Sequence, residues 1–192
     1  MSEPANRLFS QQGKALPVLL SGPEKKRRYE ELQPYLDGLL SDPHASPIAL
    51  MSTTLSLLHN AFDTFFWSGF YRRVGEDLLE VGPNQGTVGC TMIRFGQGVC
   101  GTVAESGQTK IVRDVHAEPN HIGCDDASLS EIVVPMLING QLAAVLDVDS
   151  HVKDAFDSID QLYLEKFTKK LGEALSQRDL SGCVTFPKQT TL

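Results

Sequence analysis

Glu131-Ile-Val-Val-Pro-Met-Leu-Ile138, then Asn139-Gly140, then Gln141-Leu-Ala-Ala-Val-Leu-Asp-Val-Asp149 is the stretch that does most to narrow what this chain can become. Two apolar runs of strand length meet at a dipeptide that accepts positive φ at both positions. They therefore pair antiparallel across a two-residue turn. A sheet begun this way needs its apolar face covered, and the flanking sequence supplies candidates. Phe65 to Val74 is aromatic-rich and strand-like, Gly75-Glu76-Asp77 turns the chain, and Leu78 to Val81 returns. Thr109 to Val115 is a further apolar run.

Helices are expected on both sides of these strands. One spans Lys25 to Leu40, with Pro34 dividing it. A second follows Ser46-Pro47, an N-cap and a first-turn proline, with Ile48, Met51, Leu55, Leu58 and Phe62 as its apolar face. A short third runs from Val99 to Glu105, where Gly107 can end it. The last starts near Phe156-Asp157 and carries Ile159, Leu162 or Tyr163, Phe167, Leu171 and Leu175 as its stripe. Asp114 to Ser130 reads as a long loop, and loops of that length inside a domain usually serve function. The expected fold class is α+β, a central antiparallel sheet flanked by N- and C-terminal helices. The chain of 192 residues suits one domain over 24–177, with an arm over 1–23 and an uncommitted tail over 178–192.

The net charge of -7 argues against nucleic acid and anionic membranes as partners, because both demand a basic surface. No apolar run is long enough to span a bilayer and no secretory signal opens the chain, so the expected location is cytoplasmic. Lys25-Lys26-Arg27-Arg28 reads as a solvated helix start or, less often, a nuclear address. Cysteines stand at 90, 100, 124 and 183. Without export they should stay reduced unless chemistry uses them.

Asp147 and Asp149 lie two apart on a strand and so share a face with Val145, while Leu146 and Val148 take the other. Such a pair is either a solvated polar face or a site, for a cation or for one carboxyl held protonated. Trp67, Gly69 and Tyr71 share a face by the same alternation, as core or as the apolar wall of a pocket. The cysteines are open to three roles. They can be small buried hydrophobes, or His116, His121 and Cys124 can hold zinc, although Pro119-Asn120 breaks any helix that would align them. They can also be redox-active: Cys100 follows Gly98 at a helix start that favours the thiolate, Cys124 sits in the polar loop, and Cys90 follows Gly86 and Gly89. Cys183 fits none of these settings.

Phe66-Trp67-Ser68-Gly69-Phe70-Tyr71, Gly82-Pro83-Asn84-Gln85-Gly86, Gly89-Cys90-Thr91 and Phe95-Gly96-Gln97-Gly98-Val99-Cys100-Gly101-Thr102 resemble one family in order and spacing. So do Asp114-Val115-His116, His121-Ile122-Gly123-Cys124-Asp125, Ser130-Glu131-Ile132-Val133-Val134-Pro135 and Leu146-Asp147-Val148-Asp149-Ser150. The chain resembles the free methionine-R-sulfoxide reductases, GAF-domain enzymes, from about Phe62 to Leu171. The resemblance implies reduction of free methionine sulfoxide, with Cys124 attacking the sulfoxide, Cys90 resolving by a disulfide, and Cys100 resolving or assisting. It implies Trp67 and Tyr71 as the wall of the substrate pocket, and Glu131, Asp147 and Asp149 as the acids that hold the substrate and assist protonation. It implies recycling by thioredoxin or a similar dithiol, no metal and no cofactor, and it extends to a homodimer through the N-terminal helices. The chain departs from the pattern at Met92 and Arg94, where a basic residue and a proline are expected. It departs again at Glu118 and Asn120, where phenylalanine and glycine are usual.

The three acids can meet only if the hairpin is irregular. With an unbroken two-residue turn, Ser130 pairs with Asp149 and Ile132 with Asp147, which turns Glu131 to the far face. A bulge near Pro135, or a Glu131 that precedes the strand, is therefore expected. Two other functional classes stay open from sequence: a ligand-sensing GAF module without catalysis and a zinc-stabilised interaction domain.

Overall fold

Hairpin and sheet form as the alternation dictates. The structure, a computed structural model, describes residues 17–187, so part of the expected arm and tail lies outside the described residues. Strands β1 (Trp67–Arg73), β2 (Leu78–Gln85), β3 (Met92–Arg94), β4 (Lys110–Val112), β5 (Ser130–Ile138) and β6 (Gln141–Ser150) make one antiparallel sheet in the order β3-β2-β1-β6-β5-β4. Asn139 and Gly140 form the turn with φ of 51° and 78°.

The required bulge is present, and it is on β6. Ile138 pairs with Gln141 and Leu137 with Leu142, but Met136 pairs with Ala144, so Ala143 is the extra residue. Ala143 and Ala144 both pack into the helix-covered core, and alternation then resumes in the opposite phase. Glu131 consequently pairs with Asp149 and Val133 with Asp147. The next strand brings Trp67 beside Asp149, Gly69 beside Asp147 and Tyr71 beside Val145. One inserted alanine thus turns the carboxylates of both hairpin strands to the face that carries Trp67 and Tyr71.

The other sheet face, with Phe70, Ile132, Val134, Leu146 and Val148, is covered by α1 (Gly22–Leu40), α2 (Pro47–His59) and α4 (Ser158–Leu175). Helix α1 is unbroken at Pro34, contrary to expectation. Tyr29, Leu32 and Leu36 hold both halves in the core, while Pro34 lies on the exposed side, where water can serve the carbonyl it leaves free. Ser46 caps α2 by accepting from the Ala49 N–H. Its buried stripe is Leu50, Met51, Thr54, Leu55 and Leu58; Ile48 sits in the first turn and is exposed, and Phe62 is buried beyond the helix end. In α4, capped by Asp157, Tyr163 turns inward and Leu162 outward. Helix α3 (Gly98–Ser106) lies on the opposite face and ends at Gly107 with φ of 67°.

Two expectations about the ends are corrected in part. Lys26 and Arg27 of the basic cluster are exposed at the helix start, as expected, but its other two members are engaged. Lys25 is buried, donating to Asp157, Asp160 and the Ala155 carbonyl, and Arg28 donates to the Ala61 carbonyl. Residues 178–187 pack against the domain rather than trailing away. Cys183 and Val184 are buried in the core, and Thr185 N–H donates to the Arg73 carbonyl. Among the described residues, no helix is long and apolar enough to cross a membrane.

Candidate active site

A cleft opens on the sheet face opposite the three helices, between α3 and the loop from Asp114 to Leu129. Its floor is built by β1, β5 and β6. Trp67, Tyr71, Glu131, Asp147 and Asp149 all line it, as do Cys100 and Cys124. Cys90 follows Gly89 of the same lining and is joined to Cys124 by a disulfide, with their Cα atoms 5.3 Å apart. The eight residues that the resemblance implies thus lie together at one place, whereas His116 does not line the cleft and Cys183 is buried in the helix-covered core.

Electrostatics in the floor are those of acids starved of water. Burial, then the neighbouring Asp147 and Asp149, push the Glu131 carboxyl well above the usual carboxylate range. Burial, then Asp149, does the same to Asp147. Burial raises Asp149 to about 7, against a Ser128 hydroxyl that donates to it at 2.6 Å and favours the anion. Two buried polar atoms of the floor have no partner, Asp147 Oδ1 and Trp67 Nε1. An unmade bond in such a place costs about 1–3 kcal/mol, so both atoms favour a polar ligand group.

Cys100 corrects part of the expectation. It sits near the start of α3, but burial and the acids Asp147 and Glu131 raise its thiol pKa instead of lowering it. Its Sγ donates to Asp147 Oδ2 at 3.2 Å. In this structure Cys124, one member of the zinc set considered from sequence, is bonded to Cys90. Among the described residues, the group that could hold a metal by distance is Cys100, Glu131 and Asp147, whose ligand atoms lie within 4.8 Å of one another.

Several lining residues escaped the sequence pattern. Ser128 fixes Asp149, Thr87 donates to Asp125 at 2.5 Å, and His121 Nε2 reaches to 4.0 Å from Glu131 Oε2. His121 had signalled only as a metal ligand. Two of the departures from the family pattern have partners: Asn120 donates to the Gly96 carbonyl and to Thr102 at the start of α3, and Glu118 pairs with Lys110. Met92 and Arg94 lie on the edge strand β3.

The GAF domain model matches residues 46–175. The free methionine-R-sulfoxide reductase of Saccharomyces cerevisiae is 39% identical over 157 residues, 78% of this chain and 87% of that protein. The chain belongs to the free methionine-R-sulfoxide reductase family. Protein YtsP of Bacillus subtilis is 41% identical over 80% of this chain and 94% of its own. Among solved structures, the free methionine-R-sulfoxide reductase from Neisseria meningitidis in complex with its substrate superposes with a TM-score of 0.76 at 39% identity, over 85% of this chain and 97% of that one. For a member of this reductase family, the α+β fold and the cleft are in keeping.

Proposed function

We propose that this protein reduces free methionine (R)-sulfoxide to methionine, with Cys124 as the attacking thiol and Cys90 as the resolving one. The observation that carries the proposal is the Cys90–Cys124 disulfide at a cleft whose floor is three acids, two of them well above the usual carboxylate range and Asp149 raised to about 7, beside Trp67.

The chemistry balances with these groups alone. The Cys124 thiolate bonds to the sulfoxide sulfur while a neutral carboxyl of the floor protonates the sulfoxide oxygen. That oxygen passes to Cys124, releasing the sulfide and leaving a sulfenic acid. The Cys90 thiol displaces it as water and forms the disulfide. One sulfoxide and two thiols have become one sulfide, one water and one disulfide. A second, ionised carboxylate holds the substrate ammonium, a group absent from an internal peptide residue, which accounts for the preference for the free amino acid. Trp67 and Tyr71 pack against the sulfur substituent, and Cys100 orients Asp147 by its hydrogen bond. Thioredoxin or a similar dithiol protein in the cytoplasm then restores the thiols by exchange. The enzyme is expected to act as a homodimer, which sedimentation would read.

A coupled assay with thioredoxin and its reductase, offering separate R and S epimers of free methionine sulfoxide, tests this. Turnover of the R epimer alone is expected, falling by at least about a thousandfold in Cys124→Ser. Folded protein that turns over neither epimer would instead be a binding module.

A further inference from the structure

The apolar wall of the cleft is held in place by residues that lack side chains. Gly69 lies on β1 two positions after Trp67, on the same face, and pairs with Asp147. A Cβ at Gly69 would stand 2.2 Å from Trp67 Cη2, and 2.7 and 2.8 Å from Cζ3 and Cζ2. The outer ring of the indole therefore rests on the Gly69 backbone. Gly89, after β2, closes on the ring edge: a Cβ there would stand 2.9 Å from Trp67 Cζ2 and 2.9 Å from Tyr71 Oη. Neither glycine has a left-handed φ, so the backbone itself would accept alanine. What excludes it is the ring.

We infer that Gly69, assisted by Gly89, is a positioning and specificity-determining residue for the reaction. The inference rests on Trp67 being the wall against which the substrate packs. By laying the indole flat on the sheet, Gly69 sets the depth of the cleft in front of Asp147, the place of the sulfur substituent. Any side chain at 69 must displace a rigid bicyclic ring by about 1 Å or more to reach ordinary van der Waals contact. The loss falls on binding of the substrate, while Cys124, Cys90 and the acids keep their places.

Trp67 is the only tryptophan in the chain, so its emission reports the ring directly. The test is a double-mutant cycle of Gly69→Ala and Trp67→Phe, read at every corner by far-UV circular dichroism and by KM and kcat for free methionine sulfoxide, with emission comparing Gly69→Ala and the unsubstituted protein. Gly69→Ala is expected to shift the emission without changing the dichroism. It should raise KM about tenfold or more while kcat stays within about threefold. In the Trp67→Phe background the same substitution should add nothing, because a phenyl group lacks the outer ring that meets Gly69. Additive effects alongside a clear Trp67→Phe effect would remove Gly69 from the assignment. An unaltered KM in Trp67→Phe would instead remove Trp67 as the wall, and the specificity claim with it. Should Gly69→Ala fail to fold, Gly89→Ala, outside the strand ladder, carries the same expectation of shifted emission and raised KM.

Discussion

Ser128 is the neighbour that favours the Asp149 anion. That carboxyl stands at about 7, raised by burial, held down by the Ser128 hydroxyl and raised again by Asp125. Removing a donor to the charged form moves the pKa upward. If the neutral acids of the floor supply the proton, Ser128→Ala should shift the basic limb of the kcat/KM profile to higher pH. At about pH 8.5 the variant should keep several-fold more of its maximal activity than the unsubstituted protein. An unmoved limb would show that Asp149 does not contribute to the proton supply. At this scale the sequence was informative where a side chain's direction follows from alternation, as for Asp147 with Asp149 and for Trp67 with Tyr71. It was silent on Ser128, which reaches its partner through a loop without a period, and it misplaced the Cys100 thiol on the pKa scale. The helix-start argument was local, whereas burial and the acids opposite are tertiary facts.

Between elements, the need for a bulge was deducible but its place was not. Three acids on one face contradict a regular hairpin, and Pro135 pointed to the right neighbourhood. The inserted residue is nevertheless Ala143, because two consecutive alanines can both face the helices without overfilling the core. Pro34 failed as a helix breaker for a similar reason: packing of Leu32 and Leu36 outweighs one missing hydrogen bond. Lys25 is the clearest case of an element held by a residue that sequence assigned to the surface. It joins α1 to the start of α4, with Asp160 at 2.5 Å and side chains 7% and 1% exposed. Removing the cation leaves a buried carboxyl that also accepts from Tyr29. Lys25→Met should therefore destabilise the fold by about 3 kcal/mol, measured by urea unfolding. The variant that remains folded should keep its turnover, since this contact lies across the sheet from the cleft. A loss below about 1 kcal/mol would mean that Asp160 is neutral or rehydrated there.

One sheet serves two purposes in this molecule, and its two faces pull stability in different directions. The face under α1, α2 and α4 buries a continuous apolar core. The other face buries Glu131, Asp147 and Asp149 together, each with its pKa raised first by burial. In the unfolded chain these groups titrate near about 4. Above that pH the folded protein binds more protons than the unfolded one, so stability falls as pH rises through the folded pKa values. His59, His121 and His151, whose pKa values burial lowers, act in the opposite sense, but only below about pH 6.5, where the unfolded histidines take up protons. Above about pH 7 the histidines are neutral in both states and the acids act unopposed. With the Cys90–Cys124 disulfide intact, those two sulfurs do not titrate either. The melting temperature of the oxidised protein should thus fall steadily between about pH 7 and pH 8.5, each proton of difference lowering stability by about 1.4 kcal/mol per pH unit. Asp147→Asn, which leaves the floor one acid fewer and relieves the repulsion on Glu131, should flatten that slope. A slope equal to that of the unsubstituted protein would mean that the floor is ionised and hydrated, and its acids could not then supply the proton.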